Sequence, residues 1–271
     1  MFELYTHDIV AATSSKGNQE KWYDAPSDRW YKLDTGAFEA LSETIANFIL
    51  AHSNLSDLGF SAVPYQIEKV RVHRREQIAC VSPNFLHPGE EIVTLAHLLK
   101  AELGADYQRI FHSRSSIPLR IQTLVEQVEQ ITGLTRFGAY LTLLFEYDAL
   151  ILNDDRHLNN IAVLYTPTGY RYCPLFDHGA GFLLDPVAYA FDIETNALIK
   201  QTIAKPFRCR FYTQVNAARK LYGAQFKLSL TVSEIQDAVQ QAVAHYPALY
   251  HAVLRDRVMN VLDRQRKMLK L

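Results

Sequence analysis

The stretch Asp154-Asp155-Arg156-His157-Leu158-Asn159-Asn160, read with Phe176-Asp177-His178-Gly179 beyond it, decides the fold class. It presents a carboxylate at Asp155, an amide five residues on at Asn160, and a second carboxylate at Asp177. Phosphoryl transfer from ATP needs this set. One carboxylate takes the proton of an attacking hydroxyl, while an amide oxygen and a second carboxylate hold Mg²⁺ on the nucleotide phosphates. The flanks suit that chemistry. Residues 137–152 are almost entirely apolar and predict a buried helix ending at the motif. Residues 161–165 and 171–176 predict two short strands about the Thr166-Pro-Thr-Gly169 turn. Helix, polar loop, hairpin and Asp177, in that order, place Asp155, Asn160 and Asp177 at the mouth of one cleft. A helix stop and an ordinary Asn-Asn turn would account for the first motif alone. The same bland reading makes Asp177 a loop cap, but a second carboxylate at this distance, with a hairpin between, weighs against it.

These residues resemble the catalytic loop of HipA-like serine/threonine kinases, in particular the short, stand-alone members of CtkA type. The family's Asp-x-His-x-x-Asn falls on Asp155, His157 and Asn160, and its Tyr/Phe-Asp motif falls on Phe176-Asp177. The resemblance implies that Asp155 is the catalytic base, His157 a nucleotide-site residue, Asn160 a metal ligand and Asp177 the main metal ligand. ATP and Mg²⁺ follow as the cofactors. The same string also resembles the catalytic loop of phosphoinositide lipid kinases, so it specifies the fold superfamily better than the substrate.

Ser14-Ser15-Lys16-Gly17-Asn18-Gln19-Glu20-Lys21 is a polar, small-residue stretch ahead of two aromatic strands. Backbone N–H groups in such a loop can cradle phosphate, although a single glycine equally fits an exposed hairpin loop. The resemblance changes the weighting, because the family's phosphate loop reads Ser-x-x-Gly-x-Gln-Glu-Lys and Ser14 through Lys21 fits each fixed position. It implies phosphate contacts from Gly17, Asn18 and Gln19. It also implies that Ser14, or adjacent Ser15, is autophosphorylated and that the modified loop is ejected.

Lys32 stands in the strand Arg29-Trp-Tyr-Lys-Leu33. A surface-facing strand lysine would be unremarkable there, but a kinase needs one strand lysine on the ATP phosphates, steadied by a helix glutamate. Residues 39–50 predict an amphipathic helix with Leu41, Ile45, Phe48 and Ile49 on its apolar side. Glu43 is the better partner for Lys32, with Glu39 the alternative. Residues 67–73 and 77–81 predict two further strands about a charged, solvated Arg71–Arg75 tip, running into Ser82-Pro83. The resemblance makes this the hinge that holds adenine, with contacts from Ser82 and its neighbours, since Pro83 has no N–H to donate.

The expected architecture is α+β and two-lobed, protein-kinase-like. A small β-rich lobe spans residues 1–84 with the phosphate loop and the lysine, and a larger, mostly helical lobe spans residues 85–271 with the catalytic loop. Helices are predicted over residues 118–132, 233–245 (capped by Thr231 or Ser233) and 248–269, the last basic near its end. Residues 182–222 are of mixed character and carry no Ala-Pro-Glu motif.

With 271 residues, 48% hydrophobic content and net charge −1, the chain can bury a large core and carries no basic field for nucleic acid. Three scattered cysteines read as reduced thiols in a cytoplasmic protein, without excluding export as an effector. No run approaches the ~20 apolar residues of a membrane span. The expected partner is a protein substrate. Against full-length HipA-type toxins the resemblance starts at the catalytic domain, and a preceding antitoxin-contacting domain is not expected, so an antitoxin-like partner is compatible with the sequence without being implied by it. Two other readings use the same site: a small-molecule or lipid kinase, and a nucleotide-binding pseudokinase. Intact Lys32, Asp155, Asn160 and Asp177 argue against the second.

Overall fold

The computed structural model describes residues 2–4 and 21–271. The loop from Ser14 to Glu20, with Gly17, Asn18, Gln19 and both serines, lies outside the described residues.

Alternating β-branched and aromatic residues build a five-stranded sheet from β1 (Phe2–Leu4), β2 (Lys21–Asp24), β3 (Arg29–Leu33), β4 (Gln66–Val72) and β5 (Arg75–Pro83). The order is β1-β4-β5-β3-β2, with β1 parallel to β4 and the remaining pairs antiparallel. Side-chain alternation sorts the two faces. Val70, Val72, Ala79 and Val81 join Trp22, Tyr31 and Leu33 in a small core on one face. Ile67 and Cys80 point the other way and enter the main core beneath helix α1 (Glu39–Ala51). The basic tip is a turn at His73 and Arg74, both exposed and both with positive φ, as the solvated reading expects.

Beyond Pro83 come β6 (Glu91–Thr94), α2 (Leu95–Leu103), α3 (Tyr107–His112), α4 (Ile117–Thr132) and α5 (Phe137–Ile151). A hairpin of β7 (Ala162–Thr166) and β8 (Gly169–Tyr172) follows, and β6 pairs with β7 to complete a three-stranded sheet. The second hairpin strand is shorter than predicted, ending at Tyr172 rather than at residue 176. Pro174 lacks the N–H that would continue the ladder, and Leu175 instead exchanges backbone bonds with Ser61 and Val63. That departure frees residues 173–178 to turn into the site. The closing helices are α6 (Thr195–Gln201), α7 (Phe211–Tyr222), α8 (Val232–Val243) and α9 (Ala248–Leu269). At α8 the cap is Thr231, in a reciprocal capping box with Glu234.

The apolar α5 is buried along nearly its whole length and packs against α4, α7 and α9. Its end is set by Leu152 in the left-handed conformation, where the N–H of Asn153 still reaches the Asp148 carbonyl at 2.9 Å. The catalytic-type motif begins at that break. Among the described residues no helix is long and apolar enough to cross a membrane. All three cysteines are unpaired, Cys80 and Cys173 in the interior.

Candidate functional site

Two carboxylates sit inside the otherwise apolar α5, and a buried carboxylate must be paired. Glu146 takes Arg219 and the backbone N–H groups of Gln225 and Phe226. Asp148 takes Arg156 in a forked pair, at 2.9 Å from Nε and 3.1 Å from Nη2, with both side chains 1% exposed. Burial raises the Asp148 carboxyl, and the Arg156 guanidinium opposes that rise. Having closed on Asp148, Arg156 also donates to the carbonyls of Asn160 (2.8 Å) and Phe176 (2.6 Å) and to His178 Nδ1 (2.9 Å). A guanidinium only donates, so His178 Nδ1 accepts and the proton of this buried, neutral ring is on Nε2. Burial first, then Arg156, hold the His178 pKa well below its usual value.

Four buried side chains thus fasten the peptides around Asp177. Arg156 holds the Phe176 carbonyl, Asn153 Nδ2 the Asp177 carbonyl at 3.3 Å, Glu43 the His178 N–H at 2.9 Å, and the Ser42 hydroxyl the His178 carbonyl at 2.6 Å. Asp177 itself has φ +60°, a conformation that costs a side chain energy unless the surroundings over-determine it. The pinned peptides supply that. Asn153 also accepts the Asp155 N–H at 3.3 Å, so one amide joins the two carboxylate-bearing segments.

Lys32 Nζ lies 2.7 Å from Glu39 Oε2 and 3.9 Å from Asp177 Oδ1. This corrects the expected pairing, for the ion-pair partner is Glu39, in the first turn of α1. Glu43 lies one turn further on, wholly buried, and serves the His178 backbone. Gly179 makes room for the Glu39 arrangement, since a Cβ there would stand 3.1 Å from Glu39 Oε2 and 3.2 Å from Glu39 Cβ. Burial alone would lower the Lys32 pKa, but Asp177, Glu39 and Glu43 together raise it, so the ammonium is firmly charged. Lys21, opposite Lys32 in the β2–β3 register, is a second cation at this cluster, its pKa lowered by burial and by Lys32.

Burial, then Asp177, push Glu43 from the ordinary 4.5 up to about 8. The folded protein therefore keeps a proton that the unfolded chain releases between those values, and this group's contribution to stability falls as pH rises from about 4.5 to about 8. Thermal unfolding of Glu43→Gln should accordingly lose less midpoint across that window than wild type does. Parallel pH profiles would remove Glu43 as the source.

On the catalytic-type loop Asp155 is half exposed and Asp154 is not equivalent to it, because Tyr189 donates its hydroxyl to Asp154. Lys205 Nζ reaches Asp155 Oδ1 at 2.6 Å, and His157 Nε2 stands 3.7 Å from Oδ2. Asn160 Nδ2 donates to the Asp155 carbonyl at 3.1 Å, which leaves its amide oxygen as the end of the group available to a cation. Among the described residues no cluster of three or more His, Cys, Asp or Glu forms a metal cage. An amide oxygen and one carboxylate fit Mg²⁺, which takes few protein oxygens and completes its shell with phosphates and water. Ser82 stands at the end of β5 opposite Trp30.

Arg156, Asp148, Asn153, Ser42 and Lys205 all escape the sequence reading. For Asp148 a signal existed, since it is one of two carboxylates in an otherwise apolar helix. Lys205 had none, lying fifty residues from Asp155 in a stretch without periodicity.

No protein-family profile matches the chain, and no curated protein matches it at a significant level. Among solved structures, the crystal structure of the Helicobacter pylori proinflammatory kinase CtkA matches with a TM-score of 0.56 at 14% identity, over 94% of this chain and 89% of that one. HipA in the Shewanella oneidensis MR-1 complex with HipB and operator DNA matches with a TM-score of 0.46 at 13% identity, over 96% of this chain and 67% of that one. At such identity a likeness speaks for architecture alone. This chain has an α+β fold similar to that of the CtkA kinase, with a β-sheet part and a helical part.

Proposed function

We propose that this protein is an ATP- and Mg²⁺-dependent serine/threonine protein kinase, with residues 1–84 as its small lobe and residues 85–271 as its large one. The observation that carries the reading is the joining of the two motifs. Asn153 and Arg156 tie the Asp155–Asn160 loop to Asp177, whose carboxylate faces the charged Lys32. In this reading Lys32, steadied by Glu39, takes the ATP phosphates, with Gly17, Asn18 and Gln19 as further nucleotide-binding residues. Ser82 and its neighbours hold adenine, and His157 lines the nucleotide site. Asn160 and Asp177 would hold Mg²⁺, which neutralises phosphate charge as it moves to the acceptor. Asp155 accepts the proton of the serine or threonine hydroxyl as that oxygen attacks the γ-phosphorus, and the bond to the β–γ bridging oxygen breaks to release ADP. Ser14 or Ser15 is a self-phosphorylation site whose added charge weakens the hold on ATP. Unpaired cysteines suit action in the cytoplasm.

Calorimetric titration of ATP with and without Mg²⁺ tests the assignment of Asp177. Wild type should bind more tightly with the metal, and Asp177→Ala should lose most of that difference. Equal metal dependence in the two proteins would contradict the assignment.

The lysine pair makes a separate prediction. Lys32→Ala should raise KM for ATP and lower turnover, Glu39→Ala should do so more mildly, and the double variant should lose less than the sum. The coupling expected for a contacting pair is about 0.5–3 kcal/mol. Additive losses, or stronger coupling of Lys32 to Glu43 than to Glu39, would count against it.

A further inference from the structure

A cavity of about 380 Å³ opens beside Asp155, between α3, α4, the catalytic-type loop and the turn from Lys205 to Arg208. Its floor is apolar, with Tyr107, Phe111, Leu124 and Phe207 all largely buried beneath it. Its rim is cationic or neutral. Lys205, Arg208 and His157 line it, and among the described lining residues there is no carboxylate. Lys205 is paired with Asp155 at the cavity's edge, so Arg208 is the cation left open to a ligand. Arg120 of α4 stands near enough to Cys209 for its charge to act on that thiol, adding a further cation beside the turn. The turn is closed by a backbone bridge between Ala204 and Cys209, which holds Arg208 outward and exposed. Lys205 and His157, the two residues in reach of Asp155, are also walls of this cavity. A chain segment seated there therefore lies next to the carboxylate that would take the acceptor proton. Two other cavities are more acidic, the one between α1 and α8 with Glu234 and Asp237, and the one beside α9 with Asp192, Glu194, Asp256 and Asp263 against Arg257 and Arg264. The cavity between α8 and the end of α9 is cationic too, with Arg266, Lys267 and Lys270, but its lining includes no residue in contact with Asp155.

We propose that this cavity is the acceptor-substrate site and takes an acidic protein segment with one apolar side chain near the phosphorylated residue. The inference deepens the kinase reading and rests on it. The apolar side chain fills the floor and leaves water, the dominant gain. Glutamate or aspartate on either flank meets the cationic rim, where complementary charge sets selectivity more than raw affinity. A basic segment would meet Arg208 and Lys205 and be disfavoured.

The test is binding, read independently of phosphoryl transfer. A short fluorescein-labelled peptide with one serine, one leucine and otherwise glutamate is titrated with the full chain, and anisotropy is recorded. The same peptide with lysine for glutamate, and one with glycine for leucine, serve as comparisons. The glutamate–leucine peptide should bind best and weaken with added salt. Arg208→Glu should weaken it about fivefold, on the scale of an exposed charge reversal, while Arg208→Lys and the distant Arg71→Glu leave it within twofold. Equal binding of the three peptides, or an unchanged affinity in Arg208→Glu, would overturn the proposal. Transfer of label from γ-labelled ATP to a general protein acceptor is measured on the same proteins. Its absence from wild type would sink the kinase reading, and loss of peptide selectivity with transfer intact would sink the substrate site alone.

Discussion

Asp155→Asn should bind ATP about as tightly as wild type and transfer its phosphate some 10²–10⁴-fold more slowly, the range over which a positioned general base acts. The side chain is nearly isosteric, and its remaining oxygen can still accept from Lys205, so the loop keeps its shape. What is lost is the capacity to take a proton. Asp154→Asn is the informative control. Asp154 is turned to Tyr189 and mostly buried, with burial raising its pKa, whereas Asp155 is half exposed between Lys205 and His157. Equal losses from the two variants, or full turnover in Asp155→Asn, would remove Asp155 as the base.

Arg156→Met should be the most destabilising single change at the site. It leaves Asp148 charged and unpaired in the core, and breaking one side of a buried pair costs about 3–5 kcal/mol. For a chain of this size that is roughly 6–20 °C in Tm. Activity should fall as well, even in the folded fraction, because the carbonyls of Asn160 and Phe176 lose the donor that holds them. Asp148→Leu combined with Arg156→Met should recover part of the stability, since a buried pair replaced by apolar side chains is often close to neutral, but not the activity. A loss below about 1 kcal/mol in the single variant, the scale of an exposed pair, would mean that the network is not the anchor described here.

Much of this arrangement is legible in the sequence. The helix before the motif, the hairpin after it and the long last helix follow from apolar periodicity and turn residues, and Asp155, Asn160 and Asp177 follow from spacing. The lysine's partner does not. Glu39 and Glu43 are one helical turn apart on the same side of α1, so periodicity cannot choose between them. The choice depends on where β3 sets down the helix and on the space beside Gly179, both long-range matters. Lys205 is invisible for a related reason. Its meeting with Asp155 depends on how residues 182–222 fold, and that stretch reads as mixed although it contains α6 and α7. The hairpin's second strand misleads locally, because an apolar run reads as strand while Pro174 ends the ladder.

The most direct test is to incubate the protein with γ-labelled ATP, Mg²⁺ and a protein acceptor, then identify the labelled amino acid by mass spectrometry. The account predicts phosphoserine or phosphothreonine from wild type, and none above background from Asp155→Asn at the same ATP occupancy. ATP bound at Lys32 and Asp177 with no label transferred to any protein hydroxyl would contradict it.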